Sequence, residues 1–271
     1  MKNYVIIGII AFVLLMPVIA AAPQISEKCT LSPEPVSGDD FTHSVFAEYG
    51  TTTGCPHCPG ASAALYSIYE SGDYPFNYVT LISDQNDIAR NFLGVYKARA
   101  VPVVFFDGGE VNTVGDVGES SYRSTIQEMG EREVKRSLDM TTEVSWDGDA
   151  KITVTVTIKN NENSFYLGVL RSFITEIESR WNDAQGNPYH FGFLDFAFRR
   201  PILLFPQMER TFTKQWDGAA DHSGQTFEDI TEDNIMVCSS VAHWIPQSRI
   251  GYDDLTYYAF ITDQSSAGSP S

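Results

Sequence analysis

The chain has 271 residues, 35 acidic against 18 Lys and Arg, and a formal net charge of −17. That balance argues against nucleic acid as a partner and against attraction to acidic lipid headgroups; it favours a soluble, solvated surface. Four cysteines are too few for a disulfide-dense miniprotein, although in an oxidising compartment each pair can be a disulfide.

Residues 1–22 place one basic residue, Lys2, before an apolar run from Tyr4 to Ala22 that ends in the small residues Ala20, Ala21 and Ala22. This is the order of a secretory signal peptide. The run is also near the length needed to span a bilayer, so an uncleaved N-terminal anchor, and with it a membrane tether, is the alternative. Both put everything after Pro23 outside the cytoplasm, secreted or on the extracytoplasmic face of the membrane. Residues 23–40 are rich in Pro, Ser and acids and read as a linker arm.

The roughly 250 residues that follow the leader suit two modest domains. From 41 to 138 the expected elements alternate. "HSVFAEYG" (43–50) is a strand, and "CPGASAALYSIYE" (58–70) has the apolar spacing of a helix. "FNYVTLIS" (76–83) is a second strand, and "NDIARNFLGVY" (86–96) a helix capped by Asn86 or Asp87. Residues 101–115 form a hairpin turning at Asp107-Gly108-Gly109, and 120–138 an amphipathic helix. The order is βαβαββα.

From 139 to 264 the pattern becomes all-β. "AKITVTVTIKNN" (150–161) alternates Ile152, Val154, Val156 and Ile158 with polar residues, the period of a half-buried strand. Strands are also expected at 166–178, 210–216, 234–244 and 255–263, which suggests a β-sandwich of immunoglobulin-like packing. The apolar stretch "FLDFAFRRPILLFPQ" (193–207) reads as core or interdomain contact, or, if exposed, as a partner surface. Residues 265–271 read as a flexible tail.

The chemistry centres on "TTTGCPHCPG" (51–60). Cys55 is expected after a strand and at the mouth of a helix, where free N–H groups and the helix dipole favour thiolate. Cys58 lies one turn further on, close enough to close a ring that Pro56 stiffens. A protonated His57 would stabilise the thiolate further. Stabilising the reduced form makes the oxidised form a stronger electron acceptor, so Pro-His biases the pair toward oxidising other thiols. The competing readings of the spacing are an inert disulfide and half of a metal site. Zinc would need two more ligands, and no second C-x-x-C or H-x3-H is present. No metal or small-molecule cofactor is therefore expected. Scattered His43, His190, His222 and His243, and Ser62 and Ser67 without a partner His/Asp pattern, suggest no further site.

Strand, "CPHC", helix, strand, helix, then "AVPVVFFDGG" resembles the thioredoxin superfamily, and the Pro-His pair is similar to that of its periplasmic disulfide oxidases. The 47 residues between Cys55 and Pro102 leave no room for the helical insertion of those oxidases. The resemblance covers about 41–138 and implies a cis-proline at Val101-Pro102 that, with Val101 backbone groups, holds an extended substrate beside the sulfurs. "TTTG" stands where an aromatic pair usually precedes the first cysteine. The buried acid beneath the dithiol is not at its usual offset, which leaves Glu48 as the nearest candidate proton acceptor. A thioredoxin-like unit followed by a β-sandwich is also similar to Omp28-type secreted proteins.

The activity so implied is thiol–disulfide exchange on extracytoplasmic proteins carrying thiols or disulfides, with a redox partner that recycles the dithiol. The rivals are a surface binding or adhesion module and an envelope protein whose dithiol is a staple. Cys29 and Cys238 remain. They are expected either to form a structural disulfide tying the arm to the second domain, or to leave Cys238 as a buried core thiol. A relay from Cys55 through one of them is a third role.

Overall fold

The structure is a computed structural model that describes residues 41–270. The leader, the arm and Cys29 lie outside the described residues. Chain order runs β1 (Val45–Thr51), α1 (Cys58–Ser71), β2 (Phe76–Ile82), α2 (Asp87–Val95), β3 (Val103–Phe106), β4 (Val111–Val114) and α3 (Glu119–Glu131). Strands then follow: β5 (Leu138–Gly148), β6 (Lys151–Asn160), β7 (Tyr166–Asn182), β8 (Pro188–Leu204) and β9 (Glu209–Asp217). After a short helical turn at Glu232–Asn234 come β10 (Ile235–His243), β11 (Gln247–Ile250), β12 (Thr256–Ala259) and β13 (Thr262–Gly268).

The protein is β-rich, with one large mixed sheet of eight strands in the order β13-β10-β7-β8-β2-β1-β3-β4. β1 and β2 are parallel, β3 runs antiparallel to β1, and β4 returns against β3. β8 lies parallel to β2 through Thr80 and Gly192. A three-stranded sheet, β5-β6-β9, and the β11-β12 hairpin complete the fold. Strands from both sides of the boundary expected at residue 138 thus share the eight-stranded sheet. Phe173 in β7 shows why: its ring meets Phe46 of β1, Phe92 of α2 and Phe196 of β8. Burying such aromatic surface is the main apolar contribution to a core, so the two halves share one.

A second core lies between the three-stranded sheet and the large one. The inward residues of β6 (Ile152, Val154, Val156 and Ile158) pack with Leu170, Ile174, Val237 and Val241. Their Thr and Lys neighbours face outward, as a two-residue period requires.

Several expected boundaries change: the helix expected over 120–138 ends at Glu131, and the strand expected over 166–178 runs on to Asn182. The stretch 255–263 is broken at Phe260, separating β12 from β13. Of the tail expected to be flexible at 265–271, residues 265–268 instead complete β13: Cys238 pairs with Ala267 and Ser239 with Ser266, and Pro270 bridges to Val144. Small residues are needed here because a Cβ on Gly268 would lie 2.2 Å from the Thr142 carbonyl oxygen. A Ser/Ala/Gly composition that reads as flexible therefore marks a close approach of strands.

Candidate functional site: the Cys55–Cys58 dithiol

Seven buried residues of β1 carry the chain to the sheet's end, where Thr51 leads into the loop 52–57. The loop is braced from several sides. The Thr53 amide and hydroxyl both donate to the Asp84 carboxylate. Burial works to raise the Asp84 carboxyl, but the Thr53 donors outweigh it and hold it below the ordinary carboxylate range. The Tyr189 hydroxyl, from β8, donates to the Thr52 carbonyl at 3.0 Å and lies 2.9 Å from Thr51 Oγ1.

Cys55 and Cys58 are joined by a disulfide, with their Cα atoms 5.4 Å apart. Cys58 opens α1 and Cys55 stands just before it. The first turn of α1 has no acidic residue, and His57 at its cap makes no side-chain capping bond. The positive end of the helix therefore has no acid of its own turn against it, and the one carboxylate shown beside that turn is Asp116, at Gly60. Pro59 is accommodated because first-turn N–H groups lack partners anyway.

Exposure within the ring is unequal. Pro56 and His57 face solvent, Cys55 is 6% exposed, and Cys58 is fully buried. The Tyr49 hydroxyl donates to the Cys58 carbonyl at 2.9 Å and fixes the inner end of the pair. The Val101–Pro102 peptide is cis. Val101's carbonyl oxygen lies 3.8 Å from Cys55 Sγ, a close approach since the bonded sulfur carries no proton. The structure therefore brings together Cys55, Pro56, His57, Cys58, Val101 and Pro102.

Glu48 is not part of this group. Strand alternation turns it to the sheet face opposite Tyr49. There it accepts from the Tyr96 hydroxyl, and its other oxygen is 3.5 Å from Arg171 Nη1. Complete burial raises its pKa, partly offset by Arg171 and Tyr96. Its partners belong to α2's end and β7, so the expected role as proton acceptor for the dithiol is not supported by its position. The acid that does approach α1 is Asp116: an ideal Cβ on Gly60 would lie 1.9 Å from its carboxylate, so only glycine leaves it room.

Cys238 carries no disulfide among the described residues, is 1% exposed, and has Sγ 3.8 Å from the Tyr78 carbonyl oxygen. Burial pushes its thiol up to about 12. It is the core thiol of the two alternatives; Cys29, the other half of the expected structural pair, lies outside the described residues. The histidines are also occupied elsewhere. His43 pairs with Asp107 at 2.8 Å, His222 with Asp195 at 2.7 Å, and His190 stacks on Tyr66. No cluster able to hold a metal ion occurs among the described residues.

Two hollows flank the dithiol. One, about 380 Å³, is lined by Thr52, Arg90, Leu93, Arg99 and Val101. The other, about 420 Å³, lies between α1 and the β7–β8 turn and includes Pro59, Tyr66, Asn187 and His190. Sequence reasoning missed Asp84, Tyr189 and Asp116 because each reaches the loop or helix from a distant element. Nothing local marks them.

No protein-family model matches the chain, and no curated protein sequence matches it. Among solved structures it is similar to HBP35 of Porphyromonas gingivalis, with a TM-score of 0.63, 11% identity, and coverage of 85% of this chain and 76% of that one. That likeness defines a shared fold. Protein AGR_C_4864 from Agrobacterium tumefaciens matches at a TM-score of 0.48 and 12% identity, covering 83% and 93% of the two chains. A beta-glucosidase from Kluyveromyces marxianus matches at 0.29 and 12% over 58% of this chain and 17% of its own. Neither of these two bears on the site. No helix among the described residues is long and apolar enough to cross a membrane.

Proposed function

We propose that the protein is an extracytoplasmic thiol–disulfide oxidoreductase acting on protein thiols and disulfides. In this reading residues 41–138 are a thioredoxin-like unit, and the layers of 139–264 are an immunoglobulin-like sandwich built onto it. The element order from β1 to α3 is the βαβαββα order read from the residue pattern, which supports this reading. The carrying observation is the asymmetric dithiol at a helix mouth: a marginally exposed Cys55, a sealed Cys58, and the Val101 carbonyl against Cys55 Sγ.

The chemistry follows from that asymmetry. A substrate thiolate reaches Cys55, forms a new S–S bond with it, and breaks the Cys55–Cys58 bond; Cys58 leaves as thiolate and takes up a proton. A second substrate thiolate then attacks the substrate sulfur of this mixed disulfide and expels Cys55 as thiolate. Two electrons pass from the substrate dithiol to the protein, and a disulfide-bearing redox partner removes them. The steps run backwards when the reduced protein meets a substrate disulfide. The positive N-terminal end of α1 favours the expelled Cys55 thiolate, with the Asp116 carboxylate at Gly60 working against it, and exposed His57 adds positive charge when protonated. The hollow beside Val101 gives the substrate chain somewhere to lie.

The test is trapping. Reduced Cys58→Ser protein, offered a peptide disulfide, should accumulate a mixed disulfide through Cys55, whereas Cys55→Ser should accumulate none. Equal, negligible trapping by both variants would reject the reading.

A further inference from the structure

One end of the large sheet carries an apolar surface that the dithiol chemistry does not use. Phe165 precedes β7 and Phe205 follows β8, and their rings meet edge to face at 5.1 Å. Leu167 and Leu203 are cross-strand partners just inside them. The Trp244 amide donates to the Leu167 carbonyl at 3.1 Å, which adds Trp244 and Ile245 to the same surface. All six are exposed, Phe165 to 58% and Ile245 to 64%. A β-surface in water normally alternates apolar-in with polar-out, yet the outward pair at this end of β7 and β8 is Leu167 with Leu203, capped by aromatic loop tips. Contiguous exposed apolar surface of this kind marks a contact with another phase or protein.

The rim identifies the phase. The Arg210 guanidinium donates to the Leu203 carbonyl and sits over Phe212, with Arg200 over the same ring. Lys135 and Arg136 line a hollow of about 400 Å³ with His243, next to Trp244. Glu133, Glu162 and Glu209 are nearby acids, with the buried Asp263 3.9 Å from His243. Cations set around Phe, Trp and Leu suit the headgroup layer of a bilayer, where phosphates meet the guanidinium and ammonium groups and amphipathic rings lie at the boundary. A second copy fits less well, because a two-fold contact would set the cationic rim against itself.

The point where the preceding chain enters lies beside this surface. Thr42 Oγ1 donates to the Arg132 carbonyl, Arg132 Nη2 to the Thr262 carbonyl, and the His243 amide to the Ile261 carbonyl. The apolar run Tyr4–Ala22 is separated from Phe41 by residues 23–40, about 60 Å when fully extended. A leader retained in a bilayer would keep this face within reach of it.

We propose that this end of the molecule docks on a lipid surface, with Phe165, Phe205, Trp244 and Ile245 entering the headgroup region. The net charge of −17 opposes an anionic bilayer. Apolar insertion therefore carries the binding, and the local cations orient it within a Debye length of about 10 Å.

The test uses the full chain with vesicles of phosphatidylcholine and a minority of phosphatidylglycerol, acyl chains brominated near the glycerol. Residues 1–40 contain no tryptophan, so a lipid-bound leader leaves the emission signal untouched. Trp146, Trp181 and Trp216 are buried or partly buried and supply the background. The expected result is brominated-lipid quenching that Trp244→Phe removes by more than half. Phe165→Ser/Phe205→Ser, at exposed positions, should lower it at least twofold without changing the circular dichroism. Quenching absent from the wild type, or unaltered in either variant, would overturn the proposal. So would loss of self-association in the double variant without lipid quenching, which would assign the surface to a second copy.

Discussion

The Tyr189 phenol donates to the carbonyl of Thr52 at 3.0 Å, three residues before Cys55, so a strand from the second half of the chain holds the loop that presents the dithiol. The same oxygen lies 2.9 Å from Thr51 Oγ1, and the Tyr189 ring meets Tyr49 edge to face. Tyr49 in turn donates to the Cys58 carbonyl. Both ends of the dithiol are thus tied to one aromatic pair.

Tyr189→Phe keeps the ring and deletes the donor. A lost buried hydrogen bond costs about 1 kcal/mol, a factor of about five in a population. We expect a small fall in Tm and roughly fivefold slower exchange between the reduced protein and a peptide disulfide, measured by stopped-flow fluorescence. An unchanged rate would mean that the loop holds its shape without β8.

Phe173→Ala removes the ring shared by β1, α2 and β8. Such a truncation in a packed core costs about 3–5 kcal/mol. Because the ring joins both halves, denaturant unfolding followed at Tyr and at Trp should shift together and remain one transition. Two separated transitions would show that the halves unfold independently.

Glu48 gives a pH signature. Burial raises its folded-state pKa above the unfolded value, so the native state binds the proton more readily. Its contribution is full below the unfolded carboxylate pKa and is lost as pH rises through the folded one. Wild-type stability should therefore decline across that window relative to Glu48→Gln, which cannot titrate. The slope against pH is the readout, since the offset also contains the loss of Arg171's counter-charge. Parallel slopes in thermal melts across the window would contradict the assignment.

Cys238 should be silent. A thiol pushed up to about 12 and almost without exposure has neither thiolate nor access. Iodoacetamide at neutral pH should leave the Cys238 peptide unlabelled in the native protein and label it after denaturation, as read by mass spectrometry. Native labelling at the rate of a free thiol would place Cys238 outside the core.

Much of the first half was legible because local signals agreed. Asn86 caps α2 through Ile88 and Ala89, one of the two caps the sequence offered. The turn at Asp107-Gly108-Gly109 takes the positive φ angles that glycine allows. Val101 and Pro102 could be placed beside Cys55 from the resemblance, as no local pattern puts residues 46 positions apart in contact. What stayed hidden was long-range. The join of β8 to β2 rests on a single register pair, Thr80 with Gly192, and on aromatic packing that periodicity does not encode. Glu48 was misplaced because alternation along an entirely buried strand leaves its face ambiguous until Tyr49 and Cys58 are seen together. The 193–207 stretch offered core and surface at once, and the structure uses both: Leu194 and Phe198 point inward while Leu203 and Phe205 point out.

The most direct test of the central claim is the alkylation rate of the reduced protein against pH, read separately at Cys55 and Cys58. The account predicts fast modification of Cys55 persisting into mildly acidic solution, with a midpoint well below the ordinary thiol pKa of about 8.5, Cys58 protected, and the fast phase gone in Cys55→Ser. Slow labelling of both cysteines, with an ordinary thiol midpoint and no difference between wild type and Cys55→Ser, would contradict it and leave a fixed crosslink at the mouth of α1.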